Sequence, residues 1–355
     1  MINDSNSLNK NLVLMIDGFK HGGIQQSYKL LINEYVQHFK LVILIVMEVT
    51  SEDLNIKQHD NLLIVNLNSN RLLDFKGWVK LYIIFRRFKP TFIISSIYRS
   101  QVWSAIVKNR ISKLIWIEHN TYFNRSKIQW LLMRFLKSRV SKVVGISNEV
   151  CEFTDLKLKT NSIFIPDPIN KNKGDLQTTD RNNTFLFVGR LIDQKNPELA
   201  LRSFAKFCET FNSPTFLHVI GNGPLFTQLK NLASKIGIEN SCKFHGWLEN
   251  DEIQDLMRNS RTLLSTSLFE GMALVRYEAI SNGCCVITTN TGGVAGKLDK
   301  KEDLGIFVSP PSVEDLSNLM KTSLDSKLWS PEIMNARAEL AKDLTAIVIA
   351  SQLIA

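Results

Sequence analysis

Residues 265–293 constrain the fold more than any other stretch of the chain. An apolar run predicts a strand, and the loop after it ends at Glu270. Residues 272–282 predict a helix, because Gly283 stands where a helix commonly ends in the left-handed conformation. A second buried strand and a turn containing Gly292 complete the stretch. This order of strand, loop, helix and strand predicts half of a Rossmann-like α/β unit.

Two carboxylates frame the predicted helix: Glu270 stands just before it, and Glu278 lies further along it. Unpaired backbone N–H groups and the helix dipole attract phosphate to a helix N-terminus. The candidates for that contact are Gly271, just before the helix, and the first helical residues Met272, Ala273 and Leu274. Gly271 would let a phosphate approach the backbone closely, because it has no side chain. Carboxylates accept hydrogen bonds from hydroxyl groups, so we expect Glu270 to bind a hexose and Glu278 a ribose.

The segment that begins at Glu270 has the pattern E-G-x-x-L-V-x-x-E-A, in which the second glutamate is Glu278. This pattern resembles the signature of the retaining glycosyltransferases of family 4, which have the GT-B fold and are also called glycosyl transferases group 1. The flanking glycine, leucine, valine and alanine make the resemblance specific, because two glutamates at this spacing alone would be a weak signal. A surface helix with two solvated glutamates is the alternative interpretation.

The resemblance covers nearly the whole chain and implies an α/β protein of GT-B fold. In that fold, two Rossmann-like parallel-sheet domains face a cleft, and a C-terminal helix crosses back to the first domain. Alternating apolar and helical stretches in the first half also predict a parallel sheet covered on both faces. We expect an acceptor-binding domain at 1–172, a nucleotide-sugar-binding domain at 173–334 and the C-terminal helix at 335–355. The polar segment 170–183 has the composition of a linker.

The first predicted strand and helix are joined by a loop that ends in Gly22 and Gly23. A glycine turn before a helix is a favourable place for a phosphate. The resemblance implies that this loop lies near the acceptor and the donor's phosphates. Gln25 and Gln26 stand where the family often has Glu-Arg. A glycine-rich turn without a ligand is the alternative.

His119 follows a predicted strand of the first domain. The resemblance places such a histidine near the donor sugar, so we expect His119 to position the substrate. A histidine of the core or the surface is the alternative. Asp167 and Pro168 stand where the family usually has Asn-Pro, at the exit from the first domain.

Gly189, Arg190 and Leu191 are followed by Lys195, which meets the family pattern G-R-L, three residues, Lys in full. A planar guanidinium and a flexible ammonium suit a diphosphate, and they would also stabilise negative charge on the leaving group. A solvated turn is the alternative. The resemblance also implies that main-chain atoms near Gly246 hold the base of the donor.

The chain of 355 residues has a net charge of +9, and a basic balance suits nucleic acid, anionic lipid or phosphorylated substrates. Basic amphipathic helices are predicted at 76–89 and 126–139. Their apolar stripes include Trp78, Leu81, Phe85, Trp130, Met133 and Leu136. Basic residues beside tryptophan suit an anionic membrane surface. A helix that packs on the sheet and keeps a solvated basic face is the alternative.

No apolar run approaches the roughly 18 residues of a membrane-spanning helix, and the polar N-terminal residues show no secretory signal. The five cysteines show no metal-ligand spacing. No DxD-like motif occurs at a position that would indicate a metal site. We therefore expect an enzyme without metal or cofactor that is cytoplasmic and peripheral on the inner face of the cell membrane.

The resemblance implies a retaining glycosyltransferase, and the basic first domain favours a bacterial enzyme of surface polysaccharide assembly. It would move a hexose or N-acetylhexosamine from a UDP- or GDP-sugar to a lipid-linked saccharide or a lipopolysaccharide or capsule precursor. A non-catalytic GT-B relative that binds nucleotide sugars is one alternative, suggested by Gln25, Gln26 and by Arg276, where the family often has proline. A basic nucleic-acid-binding protein is another, although the chain lacks the signatures of the known modules. The sequence does not specify the donor sugar, its base, the acceptor or the oligomeric state.

Overall fold

The computed structural model describes residues 9–19, 22–48, 56–69, 71–120, 125–170, 176, 181–293 and 298–355. The chain divides into two compact units. The first unit comprises Met1–Ile169 together with Leu344–Ala355, and the second comprises Asn170–Asp343. The predicted C-terminal segment, 335–355, is therefore shared between both units.

The described residues of the first unit form a seven-stranded parallel sheet of order β3-β2-β1-β4-β5-β6-β7. Its strands are β1 (Asn11–Gly18), β2 (Leu41–Glu48), β3 (Leu62–Asn66), β4 (Phe92–Ser96), β5 (Lys113–Glu118), β6 (Lys142–Gly145) and β7 (Ile163–Phe164). Its helices are α1 (Gly23–Tyr35), α2 (Phe75–Phe88), α3 (Tyr98–Val107), α4 (Lys127–Leu136), α5 (Asn148–Leu158) and, from the end of the chain, α12 (Ala346–Ile354).

Helices cover both faces of the first sheet, which explains why β1 and β2 are almost continuously apolar. Helices α2, α3 and α4 lie side by side on one face, where they share one core with alternate residues of the strands. Trp103, Trp116 and Met133 are fully buried in that core. Helix α1 packs against α12. The connection from β1 to β2 runs toward one edge of the sheet, and the connection from β4 to β5 runs toward the other edge. Right-handed crossovers in opposite directions place their helices on opposite faces, so α1 lies on the other face.

The apolar stripes predicted for the two basic helices pack against this sheet. Leu81 and Phe85 of α2 are buried, and so are Trp130, Met133 and Leu136 of α4. These stripes therefore belong to the core, as the alternative interpretation of the two helices has it. They cannot be the residues that meet a membrane.

The described residues of the second unit form a six-stranded parallel sheet of order β10-β9-β8-β11-β12-β13. Its strands are β8 (Asn182–Val188), β9 (Phe216–Ile220), β10 (Cys242–Gly246), β11 (Ser260–Ser265), β12 (Cys285–Thr289) and β13 (Ile306–Ser309). Its helices are α6 (Pro197–Cys208), α7 (Phe226–Lys235), α8 (Asn250–Asn259), α9 (Leu274–Ser281), α10 (Val313–Thr322) and α11 (Pro331–Glu339). The predicted fold class, two Rossmann-like units with parallel sheets, is confirmed.

Two predicted helices differ from the observed ones. Helix α9 begins at Leu274, because the residue before it, Ala273, has φ −83° and ψ 85°, which lie outside the helical region. Gly271, Met272 and Ala273 thus precede the helix, and the N–H of Leu274 donates to the carbonyl oxygen of Met272 at 3.1 Å. The C-terminal helix predicted at 335–355 is likewise not continuous: α11 and α12 are separate, and they belong to different units.

The predicted end of α9 is confirmed in detail. The N–H of Gly283 donates to the carbonyl oxygen of Ile280 at 2.8 Å, and the N–H of Cys284 donates to that of Ala279 at 2.9 Å. This pair of bonds is the Schellman motif, which satisfies the last carbonyl groups of a helix.

None of the helices in the described part of the chain combines the length and apolarity that crossing a bilayer requires.

Candidate functional site

The strand order of the second sheet reverses between β8 and β11, since β9 and β10 follow on one side and β12 and β13 on the other. In open parallel sheets, ligands bind beyond the carboxyl ends of the strands at such a reversal. The loops that leave β8 and β11 carry the predicted residues Gly189, Arg190, Lys195 and Glu270. The fold thus gathers these predicted residues at the edge where this class of sheet binds ligands.

Hydrogen bonds join the two loops to each other. The hydroxyl of Thr266 donates to the carbonyl oxygen of Asn196 at 2.8 Å. The N–H of Leu268 donates to the carbonyl oxygen of Gln194 at 2.8 Å, and the side-chain amide of Gln194 donates to that of Phe269 at 3.0 Å. The two loops therefore hold a common position, and side chains on one have fixed partners on the other.

Lys195 and Glu270 meet across these loops. The ammonium of Lys195 donates to Oε1 of Glu270 and forms an ion pair with it. The hydroxyl of Ser267 donates to the same oxygen at 2.7 Å. Only 18% of the Lys195 side chain and 8% of the Glu270 side chain are exposed. A cation and an anion with this little exposure interact more strongly than a surface pair does.

Glycines bring further backbone close to these loops. A Cβ on Gly292 would overlap the carbonyl oxygen of Glu270 and would lie 2.9 Å from its Cβ. A Cβ on Gly221, after β9, would overlap the carbonyl oxygen of Gly189. Any larger residue at either position would therefore push the loops apart.

Arg276 holds the turn that contains Gly292, and sequence reasoning had identified it only as a departure from the family. Its side chain is completely buried. One nitrogen donates to the carbonyl oxygen of Thr291 at 2.6 Å, another to the Thr291 hydroxyl at 2.6 Å, and a third to the hydroxyl of Ser265 at 2.9 Å. The neighbouring Tyr277 hydroxyl donates to the carbonyl oxygen of Gly293 at 2.7 Å. A proline at 276 could make none of the side-chain bonds.

Glu278 lies on the same helix in a half-buried position. Burial raises its pKa from 4.5 to about 7, and a hydrogen bond from the backbone of Asn170 opposes that rise. A carboxyl group with a pKa near neutrality is more common at functional sites than elsewhere.

The remaining predicted residues of the second unit lie at the carboxyl ends of its strands. Arg190 is exposed just after β8. Gly246 ends β10, and its carbonyl oxygen accepts from the N–H of Gly221 at 2.6 Å. Trp247 follows it with an exposed side chain. The roles of Arg190 and Gly246 toward a donor stay predictions.

The first sheet has an equivalent reversal between β1 and β4. Gly22 and Gly23 begin α1 there. The side-chain amide of Gln25 donates to the carbonyl oxygen of Gly18 at 3.3 Å, which connects the end of β1 with the start of α1. Asp17 accepts from the N–H of Ser100 at 2.7 Å and so caps α3. A ligand role for Gly22 and Gly23 stays a prediction.

Ile97 connects β4 to α3 in an unusual conformation. Its φ of 73° and ψ of 153° lie in a region that glycine populates almost alone. A β-branched residue there costs about 1–3 kcal/mol, which the surrounding structure must offset. Such strain concentrates at functional sites, and Ile97 lies at the reversal of the first sheet.

His119 is buried beside the same edge and uses both ring nitrogens within the protein. Nδ1 lies 3.0 Å from Oδ2 of Asp167, and Nε2 lies 3.0 Å from the hydroxyl of Ser96. The hydroxyl of Tyr28 donates to Ser96 at 2.7 Å and completes a buried chain of polar groups. Asp167, a departure from the family pattern, is thus the partner of His119. The predicted contact of His119 with a sugar stays a prediction.

Comparison with known proteins addresses the second unit directly. Residues 168–342 match the family described as glycosyl transferases group 1. The second half of the chain is a group 1 glycosyltransferase domain. It contains every strong motif residue from Gly189 to Gly293.

Curated relatives of the chain are distant in sequence. An uncharacterized glycosyltransferase of Methanocaldococcus jannaschii is 28% identical over 138 residues, which are 39% of this chain and 35% of that protein. The UDP-Gal:alpha-D-GlcNAc-diphosphoundecaprenol alpha-1,3-galactosyltransferase of Escherichia coli is 30% identical over 176 residues, which are 48% of this chain and 45% of that protein. The chain thus spans between a third and a half of the length of these relatives.

Solved structures resemble the whole chain rather than the group 1 domain alone. HepE of Anabaena in complex with UDP-glucose superposes with a TM-score of 0.78 at 17% identity, over 98% of both chains. The lipopolysaccharide outer core galactosyltransferase WaaB superposes with a TM-score of 0.72 at 16% identity, over 97% of this chain and 99% of that one. At such identities the likeness establishes the GT-B fold.

Among the residues that the structure describes, no three histidine, cysteine, aspartate or glutamate side chains are placed to hold a metal ion together. Whether the group 1 domain works without a metal stays a prediction.

Proposed function

We propose that the protein is a retaining glycosyltransferase that transfers a hexose or N-acetylhexosamine from a UDP- or GDP-sugar to a lipid-linked saccharide. The observation that carries this proposal is the ion pair between Lys195 and Glu270 at the reversal of the second sheet. A cation beside a carboxylate supports a site for a diphosphate and the sugar next to it.

The donor would rearrange this pair. Its diphosphate carries more negative charge than one carboxylate, so Lys195 would turn toward the phosphates, with Arg190 as the second cation. Glu270, released from Lys195, would accept hydrogen bonds from the sugar hydroxyls, and Ser267 would keep its carboxylate oriented through the bond of 2.7 Å. The pair thus holds both groups in position before the donor arrives.

Glu278 would accept hydrogen bonds from the ribose hydroxyls. Its pKa of about 7 means that much of it is protonated at neutral pH before the donor binds. Only the ionised carboxylate can accept from both ribose hydroxyls through both oxygens. Donor binding would therefore favour the ionised form and would strengthen as the pH rises through 7.

The transfer step needs no covalent intermediate on the protein. A hydroxyl oxygen of the acceptor would bond to the anomeric carbon on the face that the leaving diphosphate occupies, while the bond to the diphosphate oxygen breaks. The proton of the hydroxyl would pass to that departing oxygen. Lys195 and Arg190 would stabilise the negative charge that develops on it, without a metal ion.

The acceptor class rests on relatives. One acts on a diphosphoundecaprenol-linked sugar by its name, others form phosphatidylinositol N-acetylglucosaminyltransferase, and WaaB acts in the lipopolysaccharide core. All of these acceptors are lipids or carry lipids. We infer a lipid-linked or lipopolysaccharide-type acceptor, bound by the first unit at the cytoplasmic face of a bacterial membrane.

The test measures release of the nucleoside diphosphate from UDP-glucose, UDP-galactose, UDP-N-acetylglucosamine and GDP-mannose, with short-chain polyprenyl-diphosphate-linked sugars as acceptors. Lys195→Ala and Glu270→Gln should each lower kcat by roughly a hundredfold or more. Lys206→Ala is the matched control, because Lys206 forms an exposed pair with Glu209 on α6 and should leave kcat unchanged.

A second measurement separates catalysis from binding. Calorimetric titration with UDP should show weaker binding to Lys195→Ala than to the control. If UDP binds normally but no donor turns over with any acceptor, the chain is a non-catalytic relative that only binds nucleotide sugars. If neither UDP nor GDP binds, the donor site is wrong.

A further inference from the structure

The positive charge of the chain is concentrated in one part of the first unit. Residues 71–142 hold 16 lysines and arginines but only two acidic residues. The second unit, Asn170–Asp343, holds 20 basic and 21 acidic residues and is nearly neutral. The basic stretch contains α2, α3 and α4, which form one layer on one face of the first sheet.

The outer side of this layer also exposes large apolar side chains at helical spacing. On α4, Ile128, Leu131 and Phe135 are 79%, 65% and 78% exposed. Their spacing of three and four residues places them along a single stripe. This stripe is distinct from the buried one that contains Trp130, Met133 and Leu136, so α4 is apolar on two sides.

Helix α2 repeats the arrangement. Its exposed apolar residues are Phe75, Val79, Tyr82 and Ile83. They again follow a spacing of three and four residues, on the side away from the buried Leu81. Isolated exposed apolar residues are normal on protein surfaces, but a stripe repeated on two helices of one layer indicates an interaction surface.

Basic residues accompany both stripes. Lys76, Lys80, Arg86 and Arg87 are exposed on α2, and Lys127 is exposed at the start of α4. Helices that lie in a membrane interface combine these features, because the apolar side chains enter the boundary of the acyl chains while lysine and arginine remain among the phosphates. A protein partner with an acidic rim would satisfy the same charges, but it would not account for a proposed lipid acceptor.

We propose that the outer face of α2 and α4 docks on an anionic bilayer surface. The apolar stripes enter the headgroup boundary, and the surrounding lysines and arginines contact lipid phosphates. This docking proposal rests on the proposed function in one respect only, which is that a lipid-linked acceptor lies in a bilayer.

The fold also places this surface close to the first unit's functional edge. Helices α2 and α4 follow the parallel strands β3 and β5, so Phe75 and Ile128, near their N-termini, lie toward the carboxyl edge of the sheet. Asp17 and His119 follow β1 and β5 toward the same edge. A docked α4 would therefore bring a lipid-linked acceptor toward the edge where the first unit would bind it.

The test is vesicle flotation of the full chain with phosphatidylcholine vesicles that contain phosphatidylglycerol, and with phosphatidylcholine vesicles alone. The wild-type chain should float with the anionic vesicles, only weakly with the neutral ones, and less at high salt. The triple variant Ile128→Gln, Leu131→Gln, Phe135→Gln should reduce the partition coefficient roughly tenfold or more, because the inserted apolar area is lost. Glutamine keeps helix propensity.

The matched control is Ile347→Gln, which replaces an exposed isoleucine on α12 at the opposite face of the sheet and should float like the wild type. Two outcomes would overturn the proposal: absence of wild-type flotation with anionic vesicles, or equal flotation of the triple variant. A third outcome concerns oligomeric state. If the wild type does not float but sediments as a dimer without lipid, and if the triple variant sediments as a monomer, the surface binds a second copy of the chain instead.

Transfer to a water-soluble acceptor analogue distinguishes this proposal from the proposed function. The triple variant should retain that activity in full, because none of its substitutions lies in the donor site. If no variant transfers sugar but the wild type still floats, the proposed function fails and the docking surface stands.

Discussion

The two units share an architecture but differ in the chemistry of their surfaces. Each is a parallel sheet whose strand order reverses once, with helices on its faces. Yet of the large apolar side chains that are exposed among the described residues, Phe216, Trp247 and Leu268 alone belong to the second unit. The first unit also holds an excess of ten basic residues, whereas the second has one more acidic residue than basic.

In both units the reversal of strand order sets where a site can form, whereas the surrounding side chains set which ligands can bind there. Both reversals place loops and glycines at a carboxyl edge, but within the described ranges only the second unit pairs a lysine with a glutamate there. At the edge of the first unit, Arg99 instead bonds to Asp17 and Glu48, and His119 bonds to Asp167. The proposed phosphorylated donor would suit the second arrangement, because it offers a cation beside a carboxylate.

The largest expected effect concerns buried arginine. Arg276→Met should lower the free energy of unfolding of the second unit by roughly 3 kcal/mol, because it leaves the buried carbonyl of Thr291 and the hydroxyl of Ser265 without their donor. Hydrogen exchange followed by mass spectrometry can measure the loss in peptides of the second unit alone.

Arg99→Met in the first unit is the comparison. Arg99 bridges Asp17 and the more exposed Glu48 and is itself partly exposed, so its removal should cost less, roughly 2 kcal/mol. Equal losses for both variants would show that the buried arginine of the second unit has no special role.

The next effect concerns glycine. Gly292→Ala should lower kcat by roughly a hundredfold, because its Cβ would overlap the carbonyl oxygen of Glu270 and displace the carboxylate. Gly18→Ala in the first unit is the matched control, since its Cβ would meet only the carbonyl oxygen of Glu48 at an ordinary 3.8 Å. Unchanged turnover in Gly292→Ala would mean that the position of Glu270 does not matter.

A smaller effect concerns pH. Burial raises the pKa of Glu278 from 4.5 to about 7. Between these values the unfolded chain releases a proton that the folded chain keeps, so folding becomes less favourable as the pH rises from 4.5 to 7 and levels off above. Relative to Glu278→Gln, the wild type should therefore lose roughly 2–3 kcal/mol of unfolding free energy across that range.

Thermal or urea unfolding of both proteins at pH 5 and pH 8 tests this expectation. The stability difference between wild type and Glu278→Gln should change with pH. Hydrogen exchange in peptides of the first unit should not show this change. A difference that is the same at both pH values would place the pKa of Glu278 near its ordinary value.

Much of the fold follows from sequence patterns because its determinants are local. Apolar runs alternate with helical periods, so the parallel sheets could be predicted, and the motif around Glu270 and Glu278 indicated the candidate site. A local motif likewise indicated Lys195 as a candidate site residue. Its pairing with Glu270 could not, because 75 residues separate the two and only the reversal between β8 and β11 brings them together.

The features that sequence reasoning missed depend on distant contacts or on a choice between faces. Arg276 has the partners Thr291 and Gly292 fifteen and sixteen residues further on, and no local pattern indicates that a charged residue will be buried. His119 and Asp167 are 48 residues apart. For α2 and α4, periodicity reveals an apolar stripe but cannot tell which of two stripes the sheet covers.

Ile97 has a consequence for how this protein could evolve. Its backbone conformation opposes folding in every molecule, whether or not a ligand is bound. A lineage selected for growth at high temperature would gain from glycine at this position, because glycine accepts the same dihedral angles without strain. Retention of isoleucine in a heat-adapted descendant would mean that the strained junction is maintained by selection for activity.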